Sequence, residues 1–162
     1  MGKRYNNRAE RPRDRKRTIG NFPMRAEILR NSKIVKSLET FLEEKRGILL
    51  TFLFGSFANK RVRPLSDVDI GILFRTVPDV YAISDLTEEL SSLLQREVDL
   101  VVLNHASPVL KMQVLKNGIL IYASDRRYFH QFFVDTVNQY DDLKRIRKNC
   151  EDSILKGRIY AR

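Results

Sequence analysis

The chain has 162 residues, 43% of them hydrophobic and 31% charged, enough for one domain whose core needs neither disulfides nor a structural metal. Its one cysteine, Cys150, excludes an intramolecular disulfide. The longest uncharged run, Gly47 to Asn59, falls short of the ~20 residues a helical membrane span requires. The N-terminus carries charges where a secretory signal needs an apolar stretch, so a cytoplasmic location is expected. Lys+Arg 30 against Asp+Glu 20 gives a formal net charge of +10, which by itself suggests an anionic partner.

That charge is unevenly placed. Residues 1–22 carry eight basic and two acidic side chains, a net +6, and residues 143–162 carry seven against two, a net +5. The 120 residues between them sum to −1. The body of the protein is therefore not a basic nucleic-acid platform. The N-terminal segment has almost nothing apolar to bury and repels itself, so it reads as a disordered tail.

In chain order, Ile28, Val35, Leu38, Phe41 and Leu42 recur at helical spacing between Met24 and Arg46, and Gly47 stands where a helix end favours glycine. Ile48 to Phe54 is an unbroken apolar run, as expected of a strand buried on both faces. Asp67 to Phe74 alternates, with Asp67, Asp69 and Gly71 on one face and Val68, Ile70, Ile72 and Phe74 on the other. Asp79 to Arg96 reads as a helix through Val80, Ile83, Leu86, Leu90, Leu93 and Leu94. Glu97 to Leu103 reads as a third strand, with Glu97, Asp99 and Val101 sharing a side. Ser107-Pro108 and Asn117-Gly118 bracket a short helix, and Ile119 to Tyr122 forms a fourth strand. From Asp125 to about Leu155 the residues Phe129, Phe133, Val137, Tyr140, Leu143, Ile146, Cys150 and Ile154 step by three or four. This stripe is expected to pack as core and to leave some surface for a partner.

The chemistry concentrates between Gly55 and Asp69. Gly55-Ser56 leaves a buried strand at a turn where backbone N–H groups can approach phosphate oxygens. Asp67 and Asp69, two apart on a strand, point the same way, and their carboxylates can converge on a hard divalent cation such as Mg²⁺. Asp99 has the parity to face that pair if its strand is a neighbour. Three carboxylates around one or two such ions suit phosphoryl and nucleotidyl transfer. Lys60, Arg61 and Arg63 are either a solvated loop or a triphosphate clamp. His105 and His130 have no metal-ligand spacing to other donors.

The pattern Gly-Ser, ten residues, Asp-x-Asp and a later strand carboxylate resembles the nucleotidyltransferase superfamily of DNA polymerase beta, and within it the minimal nucleotidyltransferases. The resemblance covers Ile48 to about Tyr122. It implies an α/β (α+β) fold, a small mixed sheet flanked by helices with a long C-terminal helix. The chain then divides into a tail (1–22), a nucleotidyltransferase domain (23–124) and a C-terminal helix (125–162) packing on the domain or a partner.

By the same resemblance, Gly55, Ser56 and Lys60 would contact the phosphates of ATP, and Asp67 and Asp69 would hold Mg²⁺. Asp99 would ligate the catalytic metal and orient or deprotonate the acceptor hydroxyl. Family members of this size are commonly paired with a HEPN-domain ribonuclease toxin and act as antitoxins, transferring AMP from ATP to a tyrosine of that partner. One departure stands out: Asn59-Lys60 occupy the place of the usual Arg-Gly, replacing a planar phosphate fork by a point charge. Two alternatives stay open. The basic ends suit nucleotidyl transfer to RNA or a small molecule, and Asn59-Lys60 suit an antitoxin that neutralises by binding alone.

Overall fold

The computed structural model describes residues 33–55 and 67–155. Eight elements lie within them: α1 (Lys33–Glu44), β1 (Ile48–Phe54), β2 (Val68–Phe74), α2 (Val80–Leu94), β3 (Val98–Val102), α3 (Pro108–Asn117), β4 (Ile119–Ala123) and α4 (Arg126–Leu155). All four expected strands form, with ends shifted by a residue or so. The expected tail lies outside the described residues, as does the Met24 end of the first helix.

The sheet runs β3-β2-β1-β4. β1 pairs antiparallel with both β2 and β4, while β2 and β3 are parallel, joined by the α2 crossover that a parallel pair requires. β1 is central, and its first six residues are all buried, which explains its lack of alternation. Alternation in β2 sends Val68, Ile70, Ile72 and Phe74 into one core with Val35, Leu38 and Leu42 of α1 and Leu86, Leu90 and Leu94 of α2. A second core on the opposite face joins Leu50 and Phe52 to Val114 of α3 and Phe132 of α4. Each fully buried Leu or Ile in these layers contributes about 1.5–3 kcal/mol of transfer free energy.

Helix ends follow their sequence signals, with two differences of cause. The Asp79 side chain accepts from the Ala82 N–H (2.8 Å), and α2 closes on Gln95 in the left-handed region at φ 52, a conformation that usually falls to glycine. Ser107 caps α3 and Pro108 opens it, as expected. Gly118 stops α3 at φ −81, so it is not needed for a positive φ; a Cβ there would strike the Val114 carbonyl oxygen. Gly47 does use a positive φ, +90.

The stripe expected along the last helix packs only in part. In α4 the buried residues are Phe132 and Thr136, not Phe133, which is 48% exposed. Phe132 and Phe129 lie against Phe52, with ring centroids 5.7 and 6.3 Å apart. Beyond Leu143 the apolar positions Ile146, Cys150, Ile154 and Leu155 are all exposed. A 30-residue helix is about 45 Å long, longer than the sheet it covers, so its distal half has no core to enter. Among the described residues no helix is long and apolar enough to cross a membrane.

Candidate functional site

The site lies where β1 ends and β2 and β3 begin. Phe54 is the cross-strand partner of Asp69, and Asp69 that of Asp99. Three chain segments thus lie side by side. Since Val68 and Ile70 point into the α1/α2 core, Asp69 points to the α3/α4 side, and the parallel register puts Asp99 on that same side. The neighbouring strands whose relation the sequence left open are therefore β2 and β3.

Asp67 stands one residue before β2 and is exposed; Asp69 is half-buried and Asp99 exposed. Parallel neighbours lie about 4.8 Å apart, and like charges directly opposite each other destabilise a sheet unless something positive lies between. Two carboxylates placed side by side in this way can share a divalent cation. Ser56 and Lys60 lie outside the described residues.

Gly55 follows β1 at φ +70, and a Cβ built on it would overlap the Asp69 carboxylate oxygen Oδ2. The turn needs glycine for two independent reasons, the backbone angle and the space the carboxylate occupies. The sequence motif assigns Gly55 to phosphate binding; the geometry adds that it makes room for Asp69. At Gly71 a Cβ would meet the Leu103 side chain at 3.2–3.3 Å, closer than an ordinary contact, so the glycine lets Leu103 pack tightly on the strand carrying Asp69.

Asn104 escaped the sequence reading. Its amide takes the Phe74 N–H at 3.0 Å and donates to the Phe74 carbonyl at 2.8 Å, binding the end of β2 to the segment after β3. With the Leu103 N–H to Ile72 carbonyl bond (2.8 Å), this fixes β2 against β3 and hence the two aspartates against each other. An Asn just past a strand was the only signal available, and it is a common one at turns.

Oxygen donors of this kind suit a hard divalent ion. Among the described residues, however, no three His, Cys, Asp or Glu side chains are grouped closely enough to enclose one. The two facts agree for Mg²⁺, which is generally held by one or two carboxylates and completed by substrate phosphates and water. The carboxylates fit a shared metal-nucleotide site better than a preformed cage.

Comparison with known proteins bears on this arrangement. Residues 36–127 match the family model described as polymerase beta, nucleotidyltransferase. The chain is 32% identical over 127 residues to the protein adenylyltransferase MntA of Shewanella oneidensis, covering 78% of this chain and 88% of that one. Among solved structures, a toxin–antitoxin crystal structure with AMP-PNP superposes with a TM-score of 0.65 at 29% identity, covering 76% of this chain and 99% of the other. The MNT antitoxin in complex with tri-AMPylated Shewanella oneidensis HEPN toxin gives a TM-score of 0.59 at 30% identity, over 80% and 98% of the two chains. A family match across more than half the sequence, together with alignment to nearly the whole of these relatives, carries the case past resemblance: this chain belongs to the polymerase beta nucleotidyltransferase family.

Proposed function

We propose that this chain is a Mg²⁺-dependent protein adenylyltransferase that transfers AMP from ATP to a tyrosine hydroxyl of a partner HEPN-domain toxin and so silences it. The observation that carries the reading is the Asp69–Asp99 register beside Gly55, in a chain similar to a protein adenylyltransferase over most of both lengths. We place the reaction in the cytoplasm, where ATP is abundant.

In this reading Asp67, Asp69 and Asp99 hold the divalent ion together with the triphosphate. When bound, the ion would neutralise charge building on the phosphate oxygens. Asp99, exposed at the start of β3, faces the acceptor and takes its hydroxyl proton. The acceptor oxygen then bonds to the α-phosphorus as the bond from that phosphorus to the bridging oxygen breaks, and pyrophosphate leaves. Gly55 and Ser56 offer backbone N–H groups to the phosphates, and Lys60 a point charge. The acceptor comes from outside, because the described residues form one small sheet with its helices.

Labelled ATP, Mg²⁺ and a HEPN-domain toxin with which this chain forms a complex provide the test. Transfer of label to that protein, lost in Asp69→Asn, supports the proposal; no transfer by a wild-type chain that still forms the complex overturns it. Neutralisation that survives Asp67→Ala with Asp69→Ala would instead favour inhibition by binding alone, the reading that Asn59-Lys60 in place of Arg-Gly supports. Extension of RNA 3′ ends would favour an RNA acceptor, for which the basic ends speak.

A further inference from the structure

The opposite face of the molecule has a charge character unlike the chain as a whole. α2 carries Asp85, Glu88 and Glu89 and no Lys or Arg, and α1 carries Glu39, Glu43 and Glu44 against Lys33 and Lys36, so the two helices together are net acidic. Between these helices runs a groove of about 570 Å³ lined by Phe41, Asp85, Glu88, Glu89, Ser92 and Leu93. Its lining combines the apolar Phe41 and Leu93 with three carboxylates, and Lys45 lies over the Phe41 ring at 4.9 Å from the centroid. Leu93 is 38% exposed, and Tyr81, on the same helical face as Asp85, Glu88 and Ser92, is 83% exposed. One of the acids is already partly spoken for, since Lys45 pairs with Glu89.

The chain contains a segment of complementary character. Residues 1–32 hold ten basic and three acidic side chains, with eight of the basic ones between Lys3 and Arg17. This segment joins α1 at Lys33, and Phe41 of the groove lies about 12 Å further along that helix at 1.5 Å per residue. Thirty-two residues span up to ~100 Å when extended, so the connection poses no restriction on reach. A tethered segment also acts at an effective concentration set by the length of its link, which favours it over a separate basic peptide of equal affinity.

We infer that the groove between α1 and α2 is a docking surface for this chain's own basic N-terminal segment, residues 3–17 lying along Asp85, Glu88 and Ser92. The groove is formed by α1 and α2, whereas Asp69 and Asp99 face the α3/α4 side. Docking there keeps eight cations away from the carboxylates and leaves the site open to nucleotide. The inference does not depend on the acceptor or on the transfer reaction.

The full chain with Cys150→Ser and Ser92→Cys, carrying a nitroxide on the new thiol, provides the measurement. Amide signals of residues 3–17 should be roughly halved in intensity at ~0.1 M salt and recover at ~1 M, where the screening length falls from about 10 Å to about 3 Å. They should also recover when Asp85→Lys and Glu88→Lys are added. Both positions are exposed, so the core signals report whether the fold is retained. Unaffected tail signals, or broadening indifferent to salt and to the charge reversals, overturn the inference. Comparable broadening when isotope-labelled chains are mixed with separately spin-labelled chains also overturns it, assigning the groove to a second copy instead.

Discussion

At φ +70 with the Asp69 carboxylate against its Cα, Gly55 cannot become alanine unless the turn or the carboxylate moves. Left-handed backbone costs a non-glycine residue roughly 1–2 kcal/mol, which a domain of this size tolerates, whereas a displaced reacting group of about 1 Å costs on the order of 100-fold in rate. Gly55→Ala should therefore remain folded by circular dichroism and lose roughly 100-fold in AMP transfer, comparably to Asp69→Asn. Asn104 has the reverse character. It touches no candidate ligand, yet its two bonds to Phe74 hold the β2–β3 pair. Asn104→Ala should cost about 2 kcal/mol in urea unfolding, at ~1 kcal/mol per hydrogen bond. Two further residues carry a polar atom at some expense: the hydroxyls of Thr51 and Thr136 are buried without a hydrogen-bond partner. Replacing such a group by an apolar one of the same shape relieves its desolvation penalty, and Thr136→Val should stabilise by about 1 kcal/mol.

The helices divide into those the sequence reads well and one it reads by half. The strands were legible because each has a period set by what covers it: β1 continuous between two cores, β2 alternating between a core and the carboxylate face. The aspartate register followed from parity once β2 and β3 were known to be neighbours, a long-range pairing that no local pattern states. In α4, spacing identified an apolar stripe but not its cover, because periodicity is a property of one helix and burial a property of two surfaces. Slippage of one position, Phe132 for Phe133, comes from the same source, since both fit a three-or-four step from Phe129. The two halves of α4 should respond differently to truncation. Phe132→Ala should cost about 3–5 kcal/mol, whereas Ile146→Ala, on a residue 61% exposed, should fall within about 0.5 kcal/mol. Equal losses in the isolated protein would mean that the distal half packs on the domain after all. If Ile146→Ala instead weakens complex formation while leaving unfolding unchanged, that half is partner surface.

For the whole molecule, net charge is a poor guide to function and its distribution a better one. The +10 total arises at the two ends of the chain, while the candidate site sets Asp69 beside Asp99 and the helix layer behind it is net acidic. This arrangement has a thermodynamic consequence. Under the proposed function, and with no three-residue metal group among the described residues, Mg²⁺ would take its remaining oxygens from the triphosphate, so cation and nucleotide are expected to stabilise the fold jointly. A ligand at about 100 times its dissociation constant adds ~2.7 kcal/mol to the folded state, which for a chain of this length raises the midpoint of thermal unfolding by about 5–10 °C. Mg²⁺ alone and ATP with a chelator should each move that midpoint by much less than the two together. Asp69→Asn should abolish the joint shift even where its own unfolding curve is unchanged. A full shift from Mg²⁺ alone would mean that the carboxylates close into a metal cage unaided, and a full shift from ATP alone would mean that Gly55 and its turn hold the triphosphate without help from the aspartates.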